Sequence, residues 1–273
     1  MNKHFKMHRW AALVCVGLVA ALLGGCASSG GSQSSSASAP PRTQIDQSDA
    51  ERRVAVRMEL AAGYFSRGQL NTALDEVKQT LALRPDMPEA LNLRALIYAA
   101  LGETALADDS FQRILAQRPN DADSLHNYGW FMCQTQRFDK AQLLFAQALA
   151  QPSYRAPART WLAKGVCEAR AKQTEAAQQS LLKAFELDPG SPAVNVNLAE
   201  VLMHNGEARR ARFYAKRVNS NEEQITAQSL WLGLRIEKRL GNQADVDELS
   251  RELRKRYPQS PEVAALNNGR FDE

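Results

Sequence analysis

Between residues 54 and 258 the apolar residues occur in short runs at helical spacing, and polar turn residues separate the runs. The first run places its apolar residues on one helical face: Val54, Leu60, Ala61 and Tyr64. Arg67-Gly68-Gln69 interrupts this pattern, which then resumes with Leu70, Ala73, Leu74, Val77 and Leu81 and stops at Pro85. The pattern predicts two amphipathic helices joined by a tight turn, with a second turn near the proline.

Three sets of residues repeat in register along this region. Small residues recur every 34 residues, with one step of 36: Ala61, Ala95, Gly129, Gly165, Ala199 and Gly233. A second set follows twelve residues later: Ala73, Ala107, Ala141, Ala177 and Ala211. Prolines form the third set: Pro85, Pro119, Pro152, Pro189 and Pro258. Small side chains let paired helices approach closely and proline ends a helix interior, so the sets predict a stack of helical pairs.

The period divides the chain into about six units, which we place at 54–87, 88–121, 122–157, 158–191, 192–225 and 226–258 within a repeat domain of residues 49–258. The third unit is lengthened by a connector at 151–157. The sixth unit departs most, because Asp245 stands where the second set has a small residue. Residues 259–273 are predicted to cap the stack, with a short helix from Pro261 to Leu266. The predicted fold is therefore an all-α solenoid.

Two strings, Asn127-Tyr128-Gly129-Trp130 and Arg137-Phe138-Asp139-Lys140-Ala141, closely resemble the tetratricopeptide repeat consensus. The resemblance implies a right-handed superhelix in which the first helix of each pair lines a concave groove. Mapped onto this chain, the groove positions include Met58, Phe65, Leu96, Trp130, Leu162 and Val166, together with His126, Cys133, Glu200 and Met203.

The first six of these residues form the predicted partner-binding groove. Members of the family that bind a chain-terminal carboxylate carry Lys and Asn at the groove positions, and this chain departs from that pattern, which argues against carboxylate capture. An apolar groove suits an amphipathic or extended segment of a protein partner. The alternative for each side chain is a place in the core between repeats.

The N-terminal residues have the pattern of an export signal. Three cations precede an apolar run that is too short to span a membrane and ends at Leu23-Gly24-Gly25-Cys26. This ending resembles the bacterial lipobox and implies a signal peptide at 1–25 with lipidation of Cys26; an ordinary signal peptide is the alternative. Residues 26–48, rich in Ser, Gly, Ala and Pro, are predicted to form a flexible tether. By resemblance to sorted lipoproteins, the absence of Asp after Cys26 favours the periplasmic face of the outer membrane.

Charge and motifs argue against several classes of function. Removal of residues 1–25 takes away three cations and no acid, so the net charge falls from +4 to +1. No cluster of Lys and Arg forms a one-sided nucleic-acid footprint. Beyond residue 25 the histidines are His126 and His204, and no catalytic or phosphate-binding motif accompanies them. The sequence predicts a non-enzyme with no cofactor, no metal, no nucleic-acid partner and no small-molecule substrate.

Cys133 and Cys167 fall late in the first helices of consecutive units, which places the two thiols across one inter-repeat seam. Export to the oxidising periplasm would permit a disulfide between them. The alternative is a pair of buried thiols that act as small apolar side chains. We predict the disulfide.

The signal, lipobox, tether and six repeats together resemble the PilF/PilW family of type IV pilus biogenesis lipoproteins, with local marks in residues 128–133, residues 137–141 and the Cys133/Cys167 pair. This resemblance implies a pilotin-like protein that helps the pilus secretin to reach the outer membrane and assemble, and so supports pilus stability and twitching motility. The expected partners are the secretin subunit or other pilus assembly proteins, with the membrane bound through the lipid. The alternative is a repeat lipoprotein of another envelope machine, for outer-membrane protein assembly or peptidoglycan-synthase activation.

Overall fold

A computed structural model describes residues 48–271, so Cys26, the signal peptide and all but the last residue of the predicted tether lie outside the described residues. The described part is all-helical, without a strand. In chain order its helices are α1 (Asp49–Ser66), α2 (Leu70–Leu83), α3 (Pro88–Leu101), α4 (Thr104–Gln117), α5 (Ala122–Gln134), α6 (Phe138–Leu149), α7 (Pro157–Arg170), α8 (Thr174–Leu187), α9 (Pro192–His204), α10 (Ala208–Asn219), α11 (Ala227–Leu240), α12 (Gln243–Arg256) and α13 (Pro261–Asn267). The first twelve form six consecutive pairs, and α13 follows the sixth pair.

The recurring small residues lie at the contact between the two helices of each pair. The alanines of both sets are fully buried. A Cβ atom added to Gly129 would lie 2.8 Å from the ring of Phe145, and one added to Gly165 would lie 2.6 Å from Cγ of Leu181. No larger side chain fits at such distances. The prediction that small residues recur because they let paired helices approach closely is therefore confirmed.

Each turn between paired helices contains one residue in the left-handed backbone conformation, with positive φ. Four of the six turns supply glycine with φ between 71° and 79°: Gly68, Gly102, Gly206 and Gly241. The third and fourth pairs instead hold Gln136 and Lys172 at φ of 60° and 61°, a conformation that non-glycine residues adopt at an energetic cost. The five repeated prolines all lie in turns that follow the second helix of a pair.

The first helix of the stack is longer than the others, with 18 residues from Asp49 to Ser66. It begins five residues before the first unit predicted from the period, because Ser48 and Glu51 form a reciprocal capping box at its N-terminus. The start of the helix therefore coincides with the predicted start of the repeat domain. The other predicted unit boundaries fall in turns or within two residues of a helix end.

The sixth pair has both of its helices, and a cluster of charged residues surrounds Asp245, which stands where the earlier pairs have a small residue. Asp245 accepts a hydrogen bond from Arg212 at 2.9 Å, and Arg212 also donates to Glu237 at 2.7 Å. Glu237 is almost fully buried, and its second oxygen accepts from Asn242 at 2.6 Å. A buried carboxylate is stable only when paired and hydrogen-bonded, and here both conditions hold. Charge pairing therefore joins α10, α11 and α12 where the earlier units use alanine.

The short helix α13 covers the end of the stack. Val263 and Leu266 are buried against the apolar cluster of the sixth pair, which contains Leu230, Leu234 and Leu253. Ser260 caps the helix by accepting a hydrogen bond from the amide of Val263 at 3.3 Å. The cap thus replaces the first helix that a further repeat would provide.

Candidate protein-binding groove

The first helices of the pairs line the inner face of the stack. Each first helix contacts the first helix of the next pair, along the whole series α1, α3, α5, α7, α9 and α11. Within residues 48–271 the second helices of successive pairs make no such contact. The stack therefore curves with its first helices inside and its second helices outside, so the first helices line its concave face.

The six predicted groove residues lie on four consecutive first helices, and all six are half-buried. Met58 and Phe65 on α1 pack against the core cluster that includes Ala61. Leu96 on α3 and Trp130 on α5 pack against the next cluster. Leu162 on α7 packs against the cluster of the following pairs, and Val166 lies one turn further along the same helix. All six side chains are therefore only partly exposed, and the exposed part of each is open to a partner.

Trp130 stands near the middle of this row. The guanidinium of Arg170, an exposed residue in the last turn of α7, lies 5.1 Å from the centroid of the Trp130 ring. Such a cation–π contact orders a large aromatic face without removing it from solvent. The arrangement provides an aromatic anchor with a neighbouring charge, a combination that is enriched at protein interfaces.

Two positions that the family pattern assigns to the groove are buried instead. His126 has only 7% of its surface exposed, and its Nδ1 lies 2.8 Å from Oγ1 of Thr160 on α7. Burial lowers the pKa of His126 to about 4, and the nearby charge of Arg159 adds to the effect. The imidazole is therefore neutral at pH 7. It joins two repeats and is not part of the binding surface.

Cys133 is the second buried groove position, with 1% of its surface exposed. The structure joins it to Cys167 in a disulfide, with the two Cα atoms 5.7 Å apart. The bridge ties α5 to α7 across the seam where the sequence predicted it. A further seam contact, from Asn127 Nδ2 to Asn92 Oδ1 at 3.2 Å, ties α3 to α5. The middle of the groove is thus built on first helices that are linked to one another.

Arg235, at the C-terminal end of the stack, is a residue of the concave face that the repeat pattern alone did not indicate. It lies two residues after Gly233, and the corresponding residues of the four preceding pairs are buried and apolar: Ile97, Phe131, Cys167 and Val201. Arg235 is half-buried and donates from Nε to the backbone oxygen of Phe271 at 3.0 Å. A comparison of this one position along the repeats would have revealed the exception.

Neither a metal centre nor a membrane span is found in the part of the chain that the structure describes. No group of three or more His, Cys, Asp or Glu side chains within residues 48–271 is arranged to hold a metal ion. None of the helices in that range combines the length and the apolar character needed to cross a bilayer.

Comparison with known families agrees with this architecture. Three models described as tetratricopeptide repeat match the chain, one at 58–122 and 134–192, one at 110–143 and one at 168–230. Together the matches run without a gap from residue 58 to residue 230, more than half of the chain. This chain belongs to the tetratricopeptide repeat family. The matched region contains the six candidate groove residues.

Among individual proteins, the chain is homologous to the type IV pilus assembly protein PilF of Pseudomonas aeruginosa. The two are 28% identical over 252 residues, which covers 92% of this chain and 95% of PilF. An uncharacterised protein of Haemophilus influenzae is 29% identical over 134 residues, covering 48% of this chain and 74% of that protein.

Two solved structures of pilus proteins superpose on this chain. The crystal structure of PilW, described as a widely conserved type IV pilus biogenesis factor, superposes with a TM-score of 0.72 and 29% identity, covering 82% of this chain and 99% of PilW. A solved structure of PilF from Pseudomonas aeruginosa has a TM-score of 0.70 at 23% identity, over 82% of this chain and 100% of that one, and supports the fold.

Proposed function

We propose that this protein is a non-enzymatic scaffold of type IV pilus biogenesis, and that its concave groove binds a segment of the pilus secretin subunit while the subunits assemble. The pilus role is supported by homology to PilF over nearly the whole of both chains and by the structural match to PilW. The observation that carries the binding proposal is the row of half-buried apolar side chains on four consecutive first helices.

The chemistry of the row indicates the kind of segment that it binds. Met58, Phe65 and Leu96 expose apolar surface, and Trp130 adds an aromatic face. Apolar anchors in a groove recognise an amphipathic helix or an extended strand through alternate side chains. Large aromatic residues near the centre of such a surface contribute most of the binding free energy.

The anchor completes the proposal. Lipidation of Cys26 would hold the protein at the periplasmic face of the outer membrane, and about 22 residues would separate the lipid from α1, which begins at Asp49. A flexible Gly- and Ser-rich tether of this length has an average end-to-end distance of about 25 Å. A groove restricted to this layer meets membrane-bound secretin subunits at a raised effective concentration, which favours their assembly at the membrane.

The test uses a double variant of the groove, Phe65→Ala with Trp130→Ala. We expect less SDS-resistant secretin multimer in cells, and reduced twitching, while circular dichroism remains helical. The matched control is Leu143→Ala with Leu187→Ala, because both leucines are exposed, at 65% and 52%, on second helices at the outer face. The control removes comparable apolar surface but leaves the groove intact.

The thermal midpoint separates a binding effect from a packing effect. Truncation of fully buried aromatic residues costs about 3–5 kcal/mol, whereas these side chains are half-buried and should cost less. A groove variant that melts near the parent and lacks multimers supports the proposal. A folded groove variant with normal multimers and normal twitching contradicts it, and an early-melting one assigns the two side chains to the core.

A further inference from the structure

The C-terminal end of the stack contains a cavity whose chemistry differs from that of the apolar row. It has a volume of about 720 Å³ and lies between the first helices α9 and α11, beside Phe271. Met203 and Leu232 give it an apolar floor, and Arg235, Lys238 and Arg239 line it with three cations. Its one acid, Glu200, accepts a hydrogen bond from Gln228 at 3.2 Å.

These cations are not neutralised within the described part of the chain. No carboxylate between residues 48 and 271 lies within 4.0 Å of Arg235, Lys238 or Arg239. On the neighbouring helix α10, by contrast, Arg212 and Lys216 are paired with Glu237 and Asp245. Unpaired cations around a concave, partly apolar cavity attract a negatively charged ligand.

Phe271 lines the cavity and is in contact with two of the three cations. Its ring stacks on Trp231 with centroids 5.3 Å apart, and Nζ of Lys238 lies 3.1 Å from the centroid of the same ring. Its backbone oxygen accepts from Nε of Arg235 at 3.0 Å. Arg235 therefore contacts the backbone of Phe271, and Lys238 contacts its ring. The terminal nitrogens of Arg235 donate to no residue of the described range.

We propose that this cavity binds an acidic, aromatic-containing segment of a protein partner. The unpaired cations supply the attraction for carboxylates, and arginine is suited to hold one with two hydrogen bonds. Met203, Leu232 and the ring of Phe271 supply apolar surface for an aromatic or aliphatic side chain. A nucleic acid fits less well, because its phosphates require cations along an extended stripe and not three cations around one cavity.

The site is independent of the secretin assignment and lies at the other end of the stack from Phe65. The probe is a fluorescein-labelled decapeptide of Glu, Asp and Phe, and its matched control carries Gln and Asn in place of the acids. Fluorescence polarisation with the purified protein, residues 27–273, should show saturable binding of the acidic peptide and at least tenfold weaker binding of the neutral one. Peptide binding can fail while the groove variants still lose secretin multimers, so the two proposals are tested separately.

Two variants locate the binding. Arg239→Gln changes an exposed residue and should weaken binding about tenfold, the effect of losing one hydrogen bond to a charged group. Arg235→Gln should also weaken binding, but it removes the hydrogen bond from Nε to the backbone oxygen of Phe271, so Arg239→Gln, which leaves that bond intact, is the deciding variant. Arg251→Gln is the matched control, because Arg251 is an exposed cation on α12 outside the cavity. Equal weakening by Arg251→Gln would mean that only net charge matters and would overturn the site.

The sequence beyond Phe271 supplies the last control, because it continues with Asp272 and Glu273. If these two residues occupied the cavity, the parent would not bind the acidic peptide and the variant Asp272→Asn with Glu273→Gln would bind it. That outcome would overturn the proposal of an external partner. Equal binding of the acidic and neutral peptides by every variant would also overturn it.

Discussion

The close approach of α7 and α8 makes Gly165 the most informative position for a stability test. An added Cβ would lie 2.6 Å from Cγ of Leu181 and 3.2 Å from the backbone oxygen of Ala177. Leu181 is fully buried, so it has no open space into which to move. The substitution Gly165→Ala therefore forces a shift of the two helices or of the leucine rotamer.

Two effects of opposite sign set the magnitude. Overpacking a well-packed core costs about 1–3 kcal/mol. Alanine in a helix interior is more favourable than glycine by about 0.5–1 kcal/mol. We expect Gly165→Ala to lower the free energy of unfolding by about 1–2 kcal/mol, which corresponds to a fall in thermal midpoint of roughly 2–8 °C for a domain of this size.

Gly63→Ala is the matched control, since Gly63 is also a helical glycine. Its added Cβ would lie no closer than 3.6 Å to a side chain, and that nearest atom belongs to the guanidinium of Arg67, an exposed residue. This variant should match or exceed the parent in thermal midpoint, measured by circular dichroism at 222 nm. If Gly165→Ala were as stable as Gly63→Ala, the recurring small residues would not reflect close helix packing.

Three further predictions concern single residues. The pKa of His126 is lower in the folded protein than in the unfolded chain, so the unfolded chain binds more protons and stability should fall as the pH falls from about 6.5 to about 4. The variant His126→Gln should remove up to about 3 kcal/mol of this pH dependence, which is measured as the thermal midpoint against pH. Mass analysis without reductant should find Cys133 and Cys167 blocked, and two alkylatable thiols in the native protein would contradict the bridge. Because the bridge closes a loop of 34 residues, replacing both cysteines with Ser should lower the free energy of unfolding by about 4 kcal/mol. Cys26→Ala should abolish incorporation of labelled palmitate, and equal labelling of variant and parent would refute lipidation.

The repeat architecture follows from the sequence because it depends on neighbouring residues and a fixed period. Ala61 and Gly129 recur where paired helices touch, and positive-φ glycines such as Gly68 and Gly102 recur where the chain turns. The assignment of the first helices to the concave face came from the resemblance to the tetratricopeptide repeat family. The same regularity predicted the Cys133–Cys167 pairing.

The remainder of the site could not be predicted, because it arises where the chain departs from its period. His126 occupies a groove position in the family pattern but is buried, since Thr160 of the next repeat offers it a hydrogen-bond partner. Arg235 acquires its role from Phe271, which lies 36 residues further along the chain and outside any repeat. Contacts of this kind depend on the three-dimensional position of a non-repeating segment.

In-cell photocrosslinking tests the central claim, groove binding of the secretin subunit, most directly. A photoreactive amino acid would replace Leu96, which is half-buried in the apolar row, and in a second strain Leu143, which is 65% exposed on the outer face. Irradiation followed by mass spectrometry should identify the secretin subunit joined at position 96 and not at position 143. A secretin crosslink at position 143 alone, or no secretin crosslink at position 96 in cells that assemble pili, would contradict the account.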